Sequence, residues 1–250
     1  VYKAVANPRD AETLGNTLGL SVLKAVRNIP TQDDPRLRIT NQMLKLPRAD
    51  FSARVQALET ERLRLLESLK GTSLNLKTFL PLIVKYKLDD EFPSYSSHRY
   101  LHERMLGRDG LAKLDAENRE NMKQYVNNIL IMEELTRVQT NLALLRKHQE
   151  QNSAAGGKPL EVEVLGLRVG DFTLVTFPGE LTAPIGLSIK KRSPHELTFV
   201  AGYTNGYIYY APTDEQLTNT GCAQEDCDTL LAPGWRKLFE DQALAVLKKL

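Results

Sequence analysis

Histidine and cysteine are scarce, four and two in 250 residues, so the chain has little from which to build a nitrogen- or sulfur-ligated metal site of its own. Cys222 and Cys227 lie in a polar stretch at a spacing open to a disulfide in an oxidising compartment or to two thiols. They lack the short Cys-x2-Cys spacing and the second ligand pair of a structural zinc site. Charge of one sign is also missing. The 33 basic and 31 acidic side chains leave a net charge of +2, which gives no field for a nucleic acid and makes DNA and RNA poor partners. No apolar run approaches the ~20 residues that span a bilayer, so no transmembrane segment is expected. No signal peptide is visible, although a mature chain would have lost one. The first residue is Val1 rather than methionine, which suggests a processed or excerpted polypeptide.

What is present is the composition of a packed body, 42% hydrophobic and 26% charged, long enough for one large domain or two small ones. Asp10 is placed to cap a helix with Leu14, Leu18, Val22 and Val26 on one face, ending before Pro30. Leu37, Ile39, Leu44 and Leu46 alternate with polar residues as in a half-buried strand that Pro47 ends. Asp50 starts a helix carrying Val55, Leu58, Leu65 and Leu69, with Gly71 as its stop. Phe79 to Val84 reads either as a short buried strand or as a loop pressed on the core.

A long helix follows from about Asp115 to His148, its stripe made of Met122, Tyr125, Ile129, Met132, Leu135, Val138, Leu142 and Leu145. Core packing accounts for that stripe better than a cofactor does. His98 and His102 are four apart, beside Glu103, and on a helix would share a face. That pair could join a third ligand around a metal or simply pack as polar side chains. His195 reads as loop.

Three regions result: 1–150 mostly helical, 151–159 a linker rich in small residues, and 160–250 a strand-rich α/β region. Within the last, Val162 and Val164 alternate with Glu161 and Glu163, Gly170-Asp171 turns the chain, and Phe172 to Phe177 returns as an apolar strand. Pro178 stops that strand, Gly179 permits unusual backbone angles, and Thr182 with Pro184 opens a helix. Glu180 therefore falls near a helix N-terminus, where partial positive charge favours the ionised carboxylate that ligates metals. An acid that merely complements the dipole is the plain alternative. The helix buries Ile185 and Ile189 and closes on Lys190, Lys191 and Arg192, cations that suit its C-terminal end without any ligand. Leu197 to Tyr203 reads as a strand and Asn205-Gly206 as a turn. As a strand, Tyr207 and Tyr209 would face one way and Tyr210 the other; as a helical turn, Tyr207 and Tyr210 would share a face. Packing with wet hydroxyls is the plain role of these tyrosines.

The runs LEVEVLGLRVGDFTLVTFPGELTAPIGLSIKK from Leu160 and TFVAGYTNGYIYYAPT ending at Thr213, with the Leu231-Ala232-Pro233-Gly234 step into a last amphipathic helix, resemble the C-terminal part of the catalytic domain of neutral/alkaline non-lysosomal ceramidases. The resemblance implies a zinc-dependent amide hydrolase acting on N-acyl sphingosine or a related N-acyl lipid, in an extracytoplasmic, periplasmic or secreted, location. It places Glu180 and Tyr210 on the family's zinc-ligating glutamate and tyrosine, and makes Tyr210 and Tyr207 the candidate catalytic phenols. The family's zinc histidines, catalytic serine, and site arginine and histidine belong to an N-terminal half with no counterpart here. Its further active-site Tyr-Glu pair falls near Cys222-Ala223.

The expectation is thus a mixed α and β fold, helical in its first half and strand-rich in its last third. It forms part of a larger catalytic domain that needs an N-terminal half or a companion chain for the remaining zinc ligands. The alternatives are a non-catalytic ceramidase-like scaffold that binds protein, and an isolated binding module without metal.

Overall fold

The computed structural model describes residues 8–30, 33–88, 98–219 and 223–250. The order of elements is α1 (Pro8–Val26), β1 (Leu37–Leu46), α2 (Ser52–Ser68), α3 (Leu76–Leu88), α4 (His98–Met105), α5 (Gly110–Ala154), β2 (Leu160–Val169), β3 (Phe172–Thr176), β4 (Glu180–Leu181), α6 (Ala183–Arg192), β5 (Thr198–Ala201), β6 (Tyr210–Ala211), α7 (Asp214–Leu217) and α8 (Trp235–Leu247). The fold is mixed α/β, with helices dominating the first half and, from Leu160 on, the strands β2 to β6 interspersed with the helices α6, α7 and α8.

Four strands form one sheet in the order β1-β2-β3-β5, and β4 and β6 form a separate two-stranded pair. β1 pairs antiparallel with β2 along its whole length, Leu37 opposite Val169 through Leu46 opposite Leu160. Although it lies in the mostly helical first region, β1 is thus an edge of the sheet built by the last. β2 and β3 make the expected hairpin across Gly170-Asp171, and β5 joins β3 in parallel.

One face of the sheet carries Leu44, Leu46, Val162, Val164 and Val175 against α8 and α6. Phe177, Trp235 and Phe239 are fully buried there, with Phe177 4.5 Å from Phe239 and 5.6 Å from Trp235 between ring centroids. Burying each large apolar side chain contributes about 1.5–3 kcal/mol, which makes this trio the anchor of the strand-rich region. α8 lies so close over β2 that a side chain at Gly166 would run into Val246 and Leu250. Glu240, buried on α8, receives Arg192 at 2.7 Å, Arg236 at 2.8 Å and Ser188 at 3.1 Å. The basic end of α6 is therefore tied to α8 as well as to its own helix dipole.

Several expectations are corrected. α1 begins at Pro8, two residues before Asp10. α2 ends at Ser68 with Leu69 as its extended C-cap, ahead of Gly71. Phe79 to Val84 lies inside helix α3, with Pro81 within it. Pro81 is the sixth residue of α3, inside the helix, and forgoes the bond its N–H would make to Lys77 O, while Phe79 packs at 4.5 Å on Tyr125 of α5.

α5 is longer than expected, 45 residues or about 68 Å at 1.5 Å per residue. Because it continues to Ala154, the linker expected over 151–159 narrows to 155–159. Its stripe is buried at Leu135, Val138, Leu142 and Leu145, whereas Ile129 and Met132 are exposed. Ile131, four residues ahead of Leu135, packs toward Leu65 in their place. The disulfide reading of Cys222 and Cys227 involves Cys222, which lies outside the described residues. No described helix is long and apolar enough to cross a membrane.

Candidate functional site

The Pro178-Gly179-Glu180 corner is stitched to the loop 202–210 through the backbone. Ile208 N–H donates to Pro178 O at 2.7 Å, Tyr203 N–H to Gly179 O at 3.1 Å, and Glu180 N–H to Tyr209 O at 3.0 Å. Gly179 is required for closeness rather than for unusual dihedrals. A Cβ there would stand 2.8 Å from Tyr209 O and 3.0 Å from Ile208 Cγ1, whereas its φ is not positive.

The tyrosine segment is neither a continuous strand nor a helical turn. Tyr203, Asn205 and Tyr209 all adopt left-handed φ, at 55°, 60° and 66°. Each such residue costs on the order of 1–3 kcal/mol and persists only where its surroundings hold it. The reversal at Tyr209 sets Tyr210 directly beside Glu180, in parallel register between β6 and β4.

Four side chains meet at this point. Tyr207 Oη donates to Glu180 Oε1 at 2.5 Å, and the hydroxyls of Tyr203 and Tyr210 act on the same carboxylate. Burial alone would raise the pKa of Glu180, but hydrogen bonds from Tyr203, Tyr207 and Tyr210 outweigh it and bring the group below its ordinary value. The phenols respond in the opposite sense. Their hydrogen bonds to Glu180, then burial, raise all three, with Tyr210 pushed up to about 12.

Glu180 and Tyr210 line a cleft of about 700 Å3 together with Tyr203, Thr182, Leu187 and Lys190. Thr182 occupies the N-cap position of α6 without making a side-chain cap, and its buried Oγ1 has no hydrogen-bond partner among the described residues.

Behind the tyrosines lies a polar cluster that the sequence reading did not single out. His148, fully buried on α5, hydrogen-bonds through Nε2 to Asp228 Oδ1 at 2.6 Å and through Nδ1 to the Gln151 amide at 3.1 Å. Its ring meets Tyr209 edge-on at 4.5 Å. Gln151 reaches the Tyr209 hydroxyl at 3.2 Å, and Lys147 Nζ stands 4.3 Å over the Tyr209 ring. Asp228 O accepts from Tyr210 N–H at 2.9 Å. The long helix thereby braces the strained residue that orients Tyr210. The available signal was the continuation of the α5 stripe from Leu145 into His148 and Asn152, polar residues where burial was due.

Glu180, Tyr207 and Tyr210 are therefore brought together, and Tyr203 joins them. His98 and His102 share a face of α4, rings stacked at 6.5 Å, but both are exposed. His195 is a loop residue whose Nε2 is 2.8 Å from Leu247 O. As a donor set, an ionised carboxylate and a neighbouring phenol fit two oxygen positions of a zinc ion, which takes four ligands in all. Among the described residues no group of three or more His, Cys, Asp or Glu is placed to hold a metal.

No family model matches the chain, and no curated protein matches it. Among solved structures, the chain is similar to the neutral ceramidase of Pseudomonas aeruginosa, at 25% identity and a TM-score of 0.30, over 37% of this chain and 16% of that one. A ceramidase complexed with C2 aligns at 25% identity and a TM-score of 0.30, over 36% and 15%. The chain thus spans about one sixth of the length of the structures it matches.

Proposed function

We propose that this chain contributes the glutamate and tyrosine corner of a zinc-dependent amide hydrolase of ceramidase type. The observation that carries the reading is the meeting of the Glu180 carboxylate with the Tyr203, Tyr207 and Tyr210 hydroxyls at the edge of one cleft. Glu180, kept ionised, and Tyr210 beside it would hold the metal, with imidazoles from another segment completing the set. Zinc, when bound, polarises the amide carbonyl and acidifies water.

The chain's own residues do the rest. Tyr207 fixes the rotamer of Glu180 by donating to Oε1. Tyr210 would ligate the metal as a phenolate, whereas without metal it keeps its proton and is placed to donate a hydrogen bond to the oxygen on which negative charge develops. The wall of Ala183, Leu187 and Val200 gives an acyl chain an apolar surface within the cleft. An N-acyl lipid, processed outside the cytoplasm, is the substrate class this reading implies.

The test is made on the full protein as its source produces it. Glu180→Gln is expected to lower bound zinc at least tenfold, measured by elemental analysis. Tyr210→Phe should slow hydrolysis of a fluorescent N-acyl lipid about 10²-fold or more while leaving the thermal midpoint in place. Zinc retained in full by Glu180→Gln, or activity and folding lost together in Tyr210→Phe, would replace this reading with a packing role.

A further inference from the structure

Among the described residues no element covers the second face of the four-stranded sheet. On the strand positions that point away from α8 stand Leu37, Ile39 and Met43 of β1, Val169 of β2, Phe172 of β3 and Phe199 of β5. Leu37 and Ile39 are 63% exposed, Met43 62%, and Phe172, the least exposed of the six, 38%. Phe172 and Phe199 stack at 5.0 Å across the β3–β5 boundary. Together these side chains present on the order of 600 Å2 of apolar surface, the upper end for a soluble monomer and close to the ~800 Å2 that each partner contributes to a standard interface. A sheet apolar on both faces is stable when a layer covers each.

The face also ends at the site. Glu163, on the same side of β2, receives Asn41 of β1 and, at 2.6 Å through its other oxygen, Asn205 of the tyrosine loop. A layer lying on this face therefore borders the loop that positions Tyr207 and Tyr210.

We infer that the exposed sheet face is the seat of the polypeptide segment that supplies the remaining ligands to Glu180 and Tyr210. The inference rests on the reading of the site above and adds where that segment binds: it lays apolar side chains on β1, β2, β3 and β5 and presents its imidazoles at the Asn205 end.

The experiment places the photo-crosslinker benzoylphenylalanine at position 39 in the full protein as its source makes it, and sequences the joined peptides. Zinc is measured in parallel in the Ile39→Glu/Phe199→Glu and Glu180→Gln variants. Leu37→Glu, at the open rim, serves if the double variant folds poorly. Crosslinks to one histidine-containing stretch outside the present sequence are expected, with zinc lowered at least tenfold by the face variants and by Glu180→Gln. With the crosslinker at position 39, Phe199→Glu should abolish the crosslink and Glu180→Gln should keep it. Crosslinks to a second copy of this sequence, or none, would overturn the inference. So would zinc that depends on Glu180 but is unmoved by the face variants, a result that leaves the site reading intact. Histidine-segment crosslinks abolished by Phe199→Glu, with no zinc in any sample, would uphold the seat and sink the metal.

Discussion

At residue scale, Glu180 and Tyr210 hold each other's protons in place. The carboxylate keeps the phenol protonated to about 12, and three phenols keep the carboxylate ionised. The sign of each linkage is definite. Tyr210 titrates higher in the folded chain than its unfolded value of about 10, so its contribution is complete below that pH and is lost as pH rises through 12. Glu180 titrates lower than its unfolded value, so its contribution is present above about 4.3 and is lost as pH falls through the lowered folded value. Glu180→Gln removes the charge that raises Tyr203, Tyr207 and Tyr210. An alkaline titration followed by phenolate absorbance should then show three tyrosines moving down toward about 10. Unchanged curves would mean that the hydroxyls do not share that carboxylate. His148→Phe tests the brace behind them. It leaves Asp228 without its imidazole partner, which should cost about 1–3 kcal/mol in chemical denaturation.

At the scale of elements, Gly179 and Phe239 separate geometry from mass. Gly179→Ala forces a methyl against Tyr209 O, a clash with backbone that cannot rotate away, and should destabilise by about 1–3 kcal/mol while prising β4 from β6. Phe239→Ala empties the contact with Phe177 and Trp235 and should cost about 3–5 kcal/mol without touching the tyrosines. Denaturant midpoints check both, and near-ultraviolet circular dichroism of the tyrosines distinguishes them.

The same elements mark what could be read from residues alone. β1, the β2–β3 hairpin, α6 and the buried faces of Ile185 and Ile189 were legible because alternation, a Gly-Asp turn and i, i+4 spacing are local signals. The meeting of Glu180 with Tyr210 followed from family motifs and not from spacing, since it depends on left-handed φ at Tyr209, an angle no side chain announces. His148 and Asp228 are eighty residues apart, and such pairing is fixed by tertiary packing. α3 was misjudged because its apolar run is short enough to suit strand or helix equally, and its contact with Tyr125 decides the matter.

For the whole molecule, the division of labour runs along α5. Its C-terminal part, with Asn141, Leu142, Leu145, His148 and Asn152 buried, is built into the body that holds the site. Asn152 bonds Ala49 O and Leu230 O at 2.9 and 3.1 Å, joining three segments at once. Among the described residues the first part leans on α2 and α3, with Tyr100 of α4 donating to Leu111 O at 3.4 Å, and leaves Val126, Leu130 and Met132 exposed. Local opening follows the density of buried contacts, so one continuous helix should exchange its amide hydrogens unevenly. Hydrogen exchange read by mass spectrometry is expected to be at least about 100-fold slower over 141–152 than over 112–122. Equal protection along the helix would show that its first half is covered by something beyond this chain. The bracing of Tyr209 by His148 would then depend on that cover as much as on the buried end of α5.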